Sequence, residues 1–152
     1  SLEGVEYTPT GSIKQAIVQV DIFNYRTITA RLASSACSTH SDLCYAKAVY
    51  YFVQNLQYVS DPASRQYVQS PAETLLTRAG DCEDFSLLAA AMLESIGIDA
   101  DIGVTNNHAF IRAQVSASYW SDDYVWLDPT SNNEFGVTRF TNKEDLSWYE
   151  VA

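Results

Sequence analysis

The chain has 152 residues, 47% apolar and 18% charged, which gives apolar material for a packed core and too little charge for a disordered chain. Nine basic against nineteen acidic residues leave a formal charge of −10, so a phosphate-binding surface is hard to assemble and nucleic acid is not expected as a partner. No apolar run approaches the roughly 20 residues of a membrane-spanning helix.

The length fits one domain, residues 1–152. Residues 1–12 (SLEGVEYTPTGS) are polar and turn-rich and read as a lead-in segment, part of a larger parent protein. From Ile13, the positions Ile13, Ala16, Ile17 and Val20 keep a helical period. Asp21 can cap a second helix carrying Ile22, Tyr25, Ile28 and Leu32 on one face. Residues 35–41 (SACSTHS) read as a connection. Ser41 or Asp42 can then cap a helix with Leu43, Ala46, Val49, Tyr50, Val53 and Leu56 on one side, closed off by Asp61-Pro62. Residues 60–71 read mostly as loop.

Pro71 suits the first position of a short helix running to Arg78, with Ser70 as its cap. Gly80-Asp81 breaks that helix and starts another, in which Asp81 is the N-cap and Asp84 completes a capping box. Residues 82–96 are apolar on nearly every side, so this helix is expected to be buried all round, with Gly97 ending it. Beyond Gly97 the period becomes two, and 100–105, 108–116 and 124–127 read as strands, the first two joined by an Asn106-Asn107 turn. Residues 117–123 connect to the third strand. The tail, 131–152, carries Phe135, Phe140, Trp148 and Tyr149 without a clear period. Helices first and antiparallel strands after them give an α+β fold.

Three cysteines make an odd count. Cys37 and Cys44, seven apart, can close a small loop, which leaves Cys82 as a free thiol. Two free thiols there, or a metal site of Cys37, His40 and Cys44, are the alternatives; the latter lacks the fourth ligand of a structural zinc, and no metal or other cofactor is expected. A disulfide implies an oxidising compartment, hence an extracellular or cell-surface location.

Cys82 opens a helix, where unpaired backbone N–H groups and the helix dipole favour a thiolate and can bind an oxyanion. Asp81, Glu83 and Asp84 oppose that charge unless their side chains turn toward the cap and solvent, so the thiol needs an imidazolium partner. Of the two histidines, His40 sits between the paired cysteines, and His108 begins a strand. Asp128 ends the next strand and can orient an imidazole there. Each residue alone is more often structural; the order and the elements together raise the catalytic reading to an even match.

The stretches Ser70-Pro71-Ala72-Glu73-Thr74-Leu75 and Arg78-Ala79-Gly80-Asp81-Cys82-Glu83-Asp84, then His108-Ala109-Phe110-Ile111, then Trp126-Leu127-Asp128-Pro129-Thr130, resemble the nucleophile region, histidine strand and aspartate strand of the transglutaminase-like superfamily, microbial branch. The resemblance implies a papain/transglutaminase-like core, with N-terminal helices and the nucleophile helix packed on an antiparallel sheet. It implies Cys82 as nucleophile, His108 as general base and acid, and Asp128 as the orienting carboxylate. The animal cross-linking enzymes have Gln and Trp where this chain has Asp81 and Glu83, so their substrate preference and calcium dependence do not carry over. Gln69, and after it Tyr67, are candidates for a second oxyanion donor, though each reads more readily as a plain loop residue.

The expected activity is thiol acyl transfer from an amide of a protein or peptide through a thioester, with hydrolysis favoured over transamidation because the sequence offers no amine-acceptor site. The rival is a non-catalytic interaction module of a larger surface protein; a complete Cys-His-Asp set argues against it. The sequence is silent on oligomeric state.

Overall fold

A computed structural model describes residues 5–60, 67–115, 124–138 and 145–152. Asp61-Pro62, the 117–123 connection and Phe140 lie outside the described residues. Five helices and six strands are present among them: α1 (Ile13–Val18), α2 (Arg26–Ala36), α3 (Asp42–Gln54), β1 (Gln57–Tyr58), α4 (Pro71–Thr77), β2 (Ala79–Gly80), α5 (Cys82–Ser95), β3 (Ala100–Val104), β4 (Ala109–Gln114), β5 (Tyr124–Leu127) and β6 (Ser147–Glu150). A 3-10 turn, Ile22–Tyr25, leads into α2.

The helix starts follow local chemistry. Ser12, Asp21, Ser41 and Ser70 each accept a backbone N–H from the first turn of the segment they cap. Pro71 occupies the start of α4, where its missing N–H costs nothing. Arg78 ends α4 in the left-handed region, φ 58°, and Gly97 follows α5 at φ 86°.

The α2 face differs from the sequence expectation. Tyr25, Thr29 and Ala33 are buried, whereas Ile28 is exposed. Thr29 can go inside because its hydroxyl donates to the Tyr25 carbonyl at 2.7 Å, so its polar atom costs little to bury.

The main sheet is antiparallel in the order β5-β4-β3-β6. Its inner face, Ala100, Ile102, Ile111, Ala113, Val125 and Leu127, packs in one core with α5, α3 and α1. The α5 residues from Asp84 to Leu93 are all buried, so this helix is the centre of the molecule. Two elements were not expected. The β6 strand comes from the tail and pairs Trp148 with Gly103. A short parallel pair, β1 with β2, sets Gln57 opposite Ala79 just ahead of Cys82.

One hydroxyl is out of place in this core. The Ser86 Oγ is buried on α5 with no hydrogen-bond partner among the described residues. Ser86→Ala is therefore expected to leave stability unchanged or raise it by about 1 kcal/mol, because the desolvated hydroxyl gains nothing in return. Urea denaturation curves measure this, and a loss above about 1 kcal/mol would mean that the hydroxyl is satisfied after all.

Candidate active site

Cys82 is the first residue of α5 and the one free cysteine. Cys37 and Cys44 are joined in a disulfide that ties the end of α2 to the first turn of α3. Two of the three acidic neighbours of Cys82 are tied into the helix cap. Asp81 turns its carboxylate onto the N–H groups of Glu83 and Asp84, both at 3.1 Å. Asp84 reaches back to the Asp81 N–H at 3.0 Å and the Gln69 N–H at 2.7 Å, closing a capping box. Burial raises the Asp84 carboxyl well above the usual range, the two N–H donors only partly offsetting it, so less negative charge stands behind the thiol than the sequence suggests. The cap consumes the N–H groups of Glu83 and Asp84, and the Asp81 carbonyl takes that of Phe85. What remains for a ligand in the first turn is the N–H of Cys82 itself.

His108 lies just after the turn from β3 and just before β4. Its Nε2 is 2.9 Å from the Asp128 Oδ2. Cys82 lies on the same cleft as the ring, close enough for its thiol to act on the imidazole. The hydrogen bonds to Asp128 and to Cys82 outweigh burial and push the imidazole up to about 10, so the ring stays protonated at neutral pH. Burial alone would push Asp128 up, but bonds from His108 and Thr130 prevail and hold its carboxyl below the usual range. The Thr130 hydroxyl and N–H donate to Oδ1 at 2.7 and 3.2 Å, leaving Oδ2 for the ring.

The aspartate loop is itself clasped by α3. The Tyr50 hydroxyl donates to the Asn133 carbonyl at 2.7 Å, and the Gln54 amide donates to the Ser131 and Asn133 carbonyls at 2.9 and 2.8 Å. Sequence reading saw Tyr50 only as core and missed Gln54 and Thr130 as supports; for Thr130, its place two residues after Asp128 is the pattern of a local turn.

A cleft of about 250 Å³ opens between Cys82 and Glu83 on one side and residues 104–109 on the other. A larger hollow, about 540 Å³, lies at the opposite end of α5 against residues 94–97 and contains none of these three side chains. Cys82 and His108 both line the smaller cavity.

A family model for the transglutaminase-like superfamily matches residues 28–130, about two thirds of the sequence. The chain belongs to the transglutaminase-like superfamily. The match includes Cys82, His108 and Asp128 and stops short of β6. Among solved structures, a candidate protease from Parabacteroides distasonis aligns with a TM-score of 0.59 at 12% identity, over 82% of this chain and 26% of the other. A candidate cysteine protease from Cytophaga hutchinsonii aligns at 0.55 and 19% identity, over 86% of this chain and 42% of that one. LapG of Legionella pneumophila, EGTA-treated, aligns at 0.53 and 19% identity, over 93% of this chain and 81% of that one. At such identities the likeness is one of fold, and the chain spans only about a quarter and two fifths of the first two proteins. No curated protein matches.

Within this superfamily fold, Gln69 does not reach the cleft. Its amide donates to the Ala79 carbonyl at 2.8 Å and to the Thr74 hydroxyl at 3.2 Å, which uses both of its N–H bonds. Tyr67 donates its hydroxyl to Glu73. Both residues brace the approach to α5.

Proposed function

We propose that the chain is a cysteine peptidase or amidase working through Cys82, His108 and Asp128. The observation that carries this reading is the position of His108, bonded to Asp128 through Nε2 at 2.9 Å and sharing a cleft with Cys82, which stands at the start of a buried helix. The thiolate attacks an amide carbonyl carbon, forming a C–S bond and an oxyanion that the Cys82 N–H receives. The oxyanion collapses, the C–N bond breaks, and the His108 imidazolium gives its proton to the departing amine. The thioester is then opened by water, whose proton returns to the now neutral His108. Water is favoured over an amine as acceptor, and the substrate class is a protein or peptide. The Cys37–Cys44 disulfide supports an oxidising compartment, and with it an extracellular or cell-surface setting.

Alkylation tests the site without knowledge of the substrate. Iodoacetamide at pH 6 is expected to modify Cys82 at least about tenfold faster than a free thiol, and His108→Ala to remove that advantage. Equal rates for wild type, His108→Ala and a model thiol would sink the proposal. Incorporation of monodansylcadaverine into a protein substrate would move the assignment from hydrolysis to transamidation.

A further inference from the structure

The outer face of the sheet holds an aromatic column that ends on the histidine ring. His108 and Phe110 lie two residues apart on one strand path, and their rings are stacked, 6.2 Å between centroids and 21° between planes. Phe110 is 1% exposed. Trp148 of β6 meets it edge-on at 5.4 Å, and Trp126 of β5 leans on it at 5.6 Å. The two indoles touch each other at 5.3 Å and 72°.

The column is fixed from both ends. A methyl group on Gly103 would lie 2.8 Å from the Trp148 ring and 3.0 Å from that of Phe110, so the two rings close over a residue that must be bare. On its other side Trp148 carries the Arg112 guanidinium at 4.1 Å, and the Arg112 Nε donates to Asp101 at 2.8 Å. Trp148 therefore has a defined seat, and Phe110 has little room to turn.

We infer that Phe110 is a positioning residue for His108, held in place by Trp148, so that the last strand of the chain supports the active-site imidazole from outside the region the family model matches. The inference rests on the triad reading above. A histidine that must meet Asp128 with one nitrogen and Cys82 with the other has to keep its plane, and a flat ring packed against one face is a direct way to fix that plane. Loss of that alignment would loosen the Asp128 contact, the largest support of the imidazolium. Asp128 and Cys82 set the direction of its charge, and Glu83 faces it across the cleft.

The test uses Phe110→Leu, Trp148→Leu and Trp148→Phe in the whole chain. Each variant is read by iodoacetamide alkylation of Cys82 at pH 6 and by NMR titration of the imidazoles, with a thermal melt as the control for folding. With two histidines in the chain, His108→Ala assigns the signals. Phe110→Leu is expected to slow alkylation about tenfold and to lower the titration midpoint of His108, and Trp148→Leu to slow it about threefold, whereas Trp148→Phe, which keeps an aromatic edge against Phe110, stays within about twofold of wild type. If Phe110→Leu does not fold, the Trp148 pair decides. Fast alkylation in wild type, with unchanged rates and His108 midpoints in folded Phe110→Leu and Trp148→Leu, would overturn the positioning role and leave the triad standing. Slow alkylation in wild type, insensitive to His108→Ala, would overturn the triad and this inference together.

Discussion

On the proposed reading, Asp128→Ala is expected to slow peptide-bond cleavage about 10³-fold, and Asp128→Asn markedly less, since a Cys-His-Asn set also serves papain-like proteases. The alanine removes the acceptor of the 2.9 Å contact, frees the ring to rotate, and leaves the Thr130 donors without their carboxylate. The asparagine keeps a carbonyl oxygen that can accept from Nε2, so it preserves orientation while removing charge. Cleavage of a mixed peptide library, followed by mass spectrometry, measures both. Equal losses for the two variants would mean that charge, and not orientation, is what Asp128 contributes. The pH dependence follows from the same contact. The imidazole of the folded protein is held at about 10 against an ordinary 6.5, with the Asp128 bond as the largest cause. In wild type the imidazolium, the general acid on the proposed reading, is therefore present through neutral pH and lost as pH rises through about 10. The bond's contribution to folding stability has the same sign: it is whole below 6.5 and disappears as pH climbs through about 10. In Asp128→Ala the alkaline limb of the rate profile should move toward neutrality.

Gly80→Ala is expected to cost about 2–3 kcal/mol of stability and to slow Cys82 alkylation as well. An added methyl would stand 2.7 Å from the Asp84 Cβ and 3.0 Å from both the Asp84 Oδ2 and the Gln69 Nε2. Neither the helix carrying Asp84 nor the doubly bonded Gln69 amide can step aside cheaply, so the strain passes into the capping box that seats Cys82. Denaturant midpoints and alkylation rates taken on the same samples check both halves. A variant that melts like wild type would mean that β2 can shift without disturbing the cap.

These positions also mark where the sequence was legible. Asp81 and Asp84 could be read as a capping box because the pattern is local: two side chains and two N–H groups within one turn. Ser70-Pro71 and Gly97 were readable for the same reason. The order of Cys82, His108 and Asp128 on helix start, strand start and strand end pointed to a catalytic set; the structure puts Cys82 and His108 on one cleft and bonds Asp128 to the ring. Gln69 was not readable, because the partners of its amide, Thr74 and Ala79, come from the turn of chain it packs against. Nor was β1, two residues long and formed only because β2 lies beside it. The β6 strand escaped because Trp148 and Tyr149 are adjacent, both large and both half-buried, so the two faces of the strand show no contrast in hydrophobicity. The burial of Thr29 was not readable because it depends on a hydroxyl that finds a carbonyl one turn back.

Cys82 rides on a helix and His108 leads into a strand of the sheet, and they meet only where those two layers are pressed together. On the proposed reading, reactivity is thus a property of the finished tertiary structure: a chain leaving the ribosome, or crossing a membrane unfolded, would carry an ordinary thiol and could not attack its neighbours. The cysteine would arm itself at the last step of folding, and its alkylation rate would serve as a built-in gauge of whether helix and sheet have docked.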